Sequence, residues 1–107
     1  MSGSGGGGVG GFDPPGSSCA DLAFETQLSS PKPAVVSQLK VNDLLDVLTQ
    51  VVSGATVVVA LHKGRVAGGL ASPLVQRLRE CIEAGTVFTA RVLSVNSGQV
   101  RVHVEAK

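Results

Sequence analysis

Apolar residues recur at every second position along much of this chain, the period that a strand with one buried face imposes. The clearest case lies at the C-terminal end. Phe88, Ala90 and Val92 alternate with Thr89 and Arg91, and Val100, Val102 and Val104 alternate with Arg101, His103 and Glu105. Asn96, Ser97 and Gly98 between them predict a hairpin with a three-residue loop, Gly98 taking the left-handed position. That loop sets Val92 against Val102 and Ala90 against Val104 on the inside. It sets Arg91 against His103 and Thr89 against Glu105 on the outside. A two-residue loop would shift the pairing by one and turn Arg91 toward the core.

The same period recurs upstream. In residues 20–28, Leu22, Phe24, Thr26 and Leu28 share one face. Pro31 and Pro33 end that strand, because proline cannot donate to a ladder, and residues 34–40 read as extended or as a short turn. Residues 56–62 (TVVVALH) are rich in β-branched side chains and read as a buried strand. Lys63-Gly64 is a hairpin turn, and residues 65–70 return as a short strand in which Gly68 and Gly69 allow a bulge. Residues 41–52 fit two periods. Val41, Leu44, Leu45, Leu48 and Val51 match a helix capped by Asn42, whereas Leu45, Val47 and Thr49 match a strand. The flanking strands and the Ser53-Gly54 turn favour a strand over residues 43–50. One helix is predicted, over residues 73–84. Ser72 caps it, Pro73 opens it, Gly85 ends it, and Leu74, Val75, Leu78, Cys81 and Ile82 form its apolar stripe.

These elements predict a mainly β, α+β domain over residues 19–107. The expected architecture is a small SH3- or OB-like β-barrel of about six strands, with the helix between the fourth and fifth. Closure is favoured because it removes strand edges from a short domain. Residues 1–18 hold most of the fourteen glycines, Pro14 and Pro15, and one charge, Asp13. That composition predicts a disordered tail.

Composition narrows the function. A net charge of +1 with no Trp or Tyr and only three Phe supplies neither the cations nor the aromatic planes that strong nucleic-acid binding uses. No apolar run is long enough to cross a bilayer, and no charged segment followed by an apolar one opens the chain. No membrane partner is therefore expected, and the expected location is cytoplasmic. Two cysteines, Cys19 and Cys81, do not make a disulfide framework. They could pair in an oxidising environment, or Cys81 could serve as a small core residue on the helix stripe.

No constellation reads as an active site. His62 and His103 are the candidate bases near neutral pH. Ser94, His103 and Glu105 can be assembled into a triad on paper, but nothing resembles a nucleophile elbow. Cysteines and histidines are scattered singly, so neither a metal site nor any other cofactor site is expected. The glycines of residues 64–69 lack the Gly-Lys-Ser/Thr triplet of a phosphate loop. The chain is therefore expected not to be an enzyme. The candidate contact residues are Lys63 and Arg65 beside a turn, and Arg91, Arg101 and His103 on the outer face of the last hairpin. The expected function is a non-catalytic binding or assembly module acting through a protein partner or self-association, with the edge of residues 20–28 open to strand addition. Weak binding of single-stranded DNA or RNA is the alternative.

From Leu39 onward the order of elements resembles the HIRAN domain, a small barrel of helicase-related proteins associated with DNA ends. The matching pieces are Leu39-Lys40-Val41-Asn42-Asp43, a strand followed by residues 64–68, a Leu-rich helix ending at Gly85, and two valine-rich strands. HIRAN domains carry a Glu-Pro-x-Asn-like stretch with nearby aspartate and aromatic residues in the DNA pocket. Residues 49–54 here hold none of these, so the resemblance implies a fold and no functional residues.

Overall fold

The computed structural model describes residues 18–107. The segment for which disorder is expected lies, apart from Ser18, outside the described residues. The described residues open with a 3-10 turn, Cys19–Asp21, capped by Ser18, whose side-chain oxygen accepts from Ala20 N–H. Six strands and two helices follow. They are β1 (Ala23–Ser29), α1 (Pro33–Val36), β2 (Leu44–Val52), β3 (Ala55–His62), β4 (Arg65–Leu70), α2 (Val75–Glu83), β5 (Phe88–Asn96) and β6 (Gln99–Ala106).

All six strands pair antiparallel and close into a ring in the order β1-β4-β3-β2-β5-β6. Strands β2, β3 and β4 form a meander, and β5 and β6 form a hairpin laid against β2. The N-terminal strand closes the ring by pairing with β6 on one side and β4 on the other. The interior is filled by the alternate residues expected from the pattern, among them Leu45, Val47, Val58, Phe88, Val92, Val102 and Val104. The helix between β4 and β5 buries Leu78 and Cys81 against this core.

Several elements differ from the sequence expectation, each for a local reason. The strand read over residues 20–28 starts at Ala23, because Ser18 caps a turn first. Residues 33–36 are helical, with Pro33 in the first turn and Val35 and Val36 buried. The ambiguous segment is a strand, with Leu45 and Val47 inside. In α2, regular helix starts at Val75. Ser72 still caps the turn, its hydroxyl accepting from Leu74 N–H at 3.1 Å and its carbonyl from Val75 N–H at 2.9 Å.

The last hairpin has the expected register but not the expected loop. Ser97 and Gly98 form a two-residue turn, with φ of 53° and 82°. Both values lie in the left-handed region that a type I′ turn requires. Pairing runs Asn96 to Gln99, and a shift between Val92 and Ser94 then restores Val92 against Val102 and Arg91 against His103. A bulge at Leu93 therefore does what a third loop residue would have done, and Arg91 stays outside.

A disulfide joins Cys19 to Cys81, with 5.5 Å between their Cα atoms. It closes a separation of 62 residues, a restraint on the unfolded chain of about 4 kcal/mol in the chain-entropy model.

The contact between β1 and β4 is confined to Leu28 opposite Leu70 and Ser29 opposite Gly69. Glycine makes this close approach possible. A Cβ on Gly68 would lie 3.0 Å from Leu28 Cβ and 3.1 Å from the Ser29 carbonyl, whereas one on Gly69 would first meet the rotatable Ser29 hydroxyl at 2.9 Å. Gly68→Ala is therefore expected to destabilise by about 1–3 kcal/mol, and Gly69→Ala by clearly less. Urea denaturation of the two variants measures the difference, and equal costs would contradict this packing.

Candidate functional site

The exterior of the ring divides into two unlike halves. Strands β5, β6 and β1 carry the outward polar residues. Arg101 lies 3.8 Å from Glu25 across the β1–β6 pair, and His103 Nε2 lies 3.3 Å from Glu105 Oε1 on its own strand. Arg91 donates to Asn42 Oδ1 at 3.3 Å. Asn42 is itself held, because its N–H donates to the Val92 carbonyl at 2.7 Å, while Val92 N–H donates to the Asp43 carbonyl at 2.8 Å. All three candidate contact residues of this hairpin thus have a polar or charged partner.

The remaining candidates, Lys63 and Arg65, stand elsewhere. They flank the β3–β4 turn, and β2 lies between β3 and β5, the strand that carries Arg91.

Strands β2 and β3 form the other half. The outward positions of β2 carry Leu44, Leu48 and Val52 together with Asp46 and Gln50, and alternate with the buried Leu45 and Val47. Leu44, Leu48 and Val52 are 64%, 50% and 49% exposed, and Val51 at the hairpin tip is 70% exposed. From Val47 to His62 no residue is Asp, Glu, Lys or Arg. The hairpin tip stands between two depressions. One, of about 390 Å³, is lined by Val57, Val59, Gly69, Ser29, Gln50 and Lys32 among others. The other, of about 320 Å³, lies between the hairpin and the start of α2, against Val75, Gln76 and Arg79.

The histidines differ in setting. His62 ends β3 and is buried, with Nε2 3.7 Å from Asp43 Oδ2. Asp43 also accepts the Lys40 N–H through Oδ2 at 2.9 Å. The pair thus links the end of β3 to the loop that enters β2. Ser94 sits opposite Arg101, not His103, so the paper triad is not assembled by the register. Among the described residues no group of three or more His, Cys, Asp or Glu could hold a metal ion, and no helix is long and apolar enough to cross a membrane.

The edge expected to accept an added strand is occupied: residues 23–27 of β1 pair with β6, and Leu28 and Ser29 with β4. Sequence reasoning missed two features. The apolar outer face of β2 was present as a signal, since Leu44, Leu48 and Val52 fall on the set opposite Leu45 and Val47. The Asp43–His62 contact had no signal, because it joins residues 19 positions apart through strand pairing alone.

Comparison with protein-family models, with curated proteins and with solved structures finds no match, so the HIRAN resemblance gains no support from them.

Since Leu48 and Val52 are half exposed at outward positions of the described fold, Leu48→Lys and Val52→Lys should each change unfolding free energy by no more than about 0.5 kcal/mol. Denaturant titration checks this. A loss several times larger would mean that these side chains serve the fold and are not a free surface.

Proposed function

We propose that this chain is a non-catalytic binding or assembly module that engages a protein partner, or a second copy of itself, through the outer face of β2 and β3. The observation that carries the reading is the exposure of Leu44, Leu48 and Val52 at outward positions of β2, with Val51 exposed beside them at the hairpin tip. Fully burying one such side chain is worth about 1.5–3 kcal/mol, and half that for a side chain already half covered. Association costs on the order of 4–15 kcal/mol. No single residue offsets that cost, so the partner has to cover the face broadly.

Weak nucleic-acid binding is the second reading, and one observation favours it. Counted from β2, a three-stranded meander, a helix and a hairpin returning to the first strand follow the order of an OB-like barrel, with β1 inserted between β4 and β6. Topology alone is a weak warrant for function, and Arg91, Arg101 and His103 are already engaged.

Two measurements separate the readings. In light scattering over a concentration series, the wild type should gain mass toward a dimer, and the double variant Leu48→Asp with Val52→Asp should stay monomeric. If both stay monomeric, self-association falls. The partner reading then rests on whether the double variant loses a protein that the wild type retains on purification from its own cells, and equal retention contradicts it. Titration of single-stranded DNA at low salt tests the second reading. Binding lost on Arg91→Glu with Arg101→Glu favours it, and no binding removes it.

A further inference from the structure

We infer that the larger depression, lined by β3, β4 and the chain leaving β1, binds a small amphiphile: a single carboxylate head on a short apolar chain. Its volume of about 390 Å³ falls within the range of about 300–1,000 Å³ that small-molecule sites occupy. Strand pairing explains the hollow. On β3, Val58 and Ala60 belong to the core, so Val57 and Val59 face outward. Val59 pairs with Gly69 on β4, and Gly69 pairs with Ser29 on β1. One outward row across three strands therefore has no side chain at its middle position. Val59 is only 6% exposed although it stands outside the core cluster.

The chemistry of the lining selects the ligand. Val57, Val59 and Val66 supply apolar contact, and Lys32 is the one ionisable residue of the lining. Among the described residues no Asp or Glu forms an ion pair with it. Its backbone is fixed to β4, because Lys32 N–H donates to the Ala67 carbonyl at 2.8 Å. Ser29 adds a hydroxyl, which stands 2.9 Å from the point where a Cβ on Gly69 would lie. A carboxylate can pair with the ammonium and accept from the hydroxyl while its chain covers the valines. A sugar or a nucleobase would meet valines where it needs hydrogen-bonding groups or aromatic planes, and the chain has no Trp or Tyr. The site is separate from the protein contact proposed at Leu44 and Leu48, although Val52 borders both.

NMR titration of the full chain with sodium decanoate, kept below its micelle concentration, tests this. Amide shifts of residues 29–32, 57–59 and 66–71 should move and saturate. Those of Val41, Leu44 and Val87, which are exposed apolar residues elsewhere, should not. From hexanoate to decanoate, affinity should rise by up to about fourfold for each methylene buried. Lys32 is exposed, so Lys32→Gln should weaken decanoate by about two- to fivefold. Decyltrimethylammonium, with the same chain on a cation, should bind the wild type more weakly than decanoate, and Lys32→Glu should remove or invert that preference. Three results would each overturn the site: no saturable shift, equal shifts at Val41, Leu44 and Val87, or a head-group preference that Lys32→Glu leaves unchanged. Light scattering of Lys32→Glu should match the wild type, so this site and the self-association reading fail separately.

Discussion

Ring closure by the N-terminal strand is the constraint on which the rest of this structure depends. The meander β2–β3–β4 and the hairpin β5–β6 meet through β2 and β5, and that contact alone would leave β4 and β6 as open edges. Strand β1 bridges them, pairing along β6 and touching β4 at its last two residues. It also brings Leu22, Leu28 and part of Phe24 into the core. Open edges invite pairing with other chains, so the sequence around this joint is specialised. Glycines on β4 permit close approach, and a proline-bounded turn leads out of it.

Closure also gives the molecule its two sides. With every strand facing one interior, the outward positions of β5, β6 and β1 become a polar surface, and those of β2 and β3 a mostly apolar one interrupted by Asp46 and Gln50. A solvated ring has no structural need for Leu44, Leu48 and Val52 at outward positions, because Leu45 and Val47 already supply the core side of that strand. The excess apolar surface is what a binding role uses, and its uncharged hairpin tip is where such a contact would centre.

Much of the secondary structure was legible because it depends on local patterns. Its β-branched run placed β3, the Lys63-Gly64 turn placed β4 and the period of two placed β6, and residues 43–50 fall in a strand because Leu45, Val47 and Thr49 fit the inner face. Features set by distant pairing were not legible. The bulge at Leu93 compensates for a two-residue turn, and nothing near Leu93 announces it. The closing role of β1 depends on β4 and β6, more than 35 positions away. The cysteine pairing was left open, since spacing carries no distance, and the chain before β1 had to fold back onto α2 to bring the sulfurs together. Of the candidate surface residues, the outward placement of Arg91, Arg101 and His103 followed from alternation. Their pairing with Asn42, Glu25 and Glu105 did not, because it depends on which strands become neighbours or on how side chains turn.

The most direct test of this account is a set of interstrand proton–proton contacts measured by NMR in one oxidised sample. The account predicts that β1 touches both neighbours at once, with Phe24 against Val104 on β6 and Leu28 against Leu70 on β4. Contacts to β6 without any to β4 would show an open sheet, and the closed, two-sided ring would be wrong.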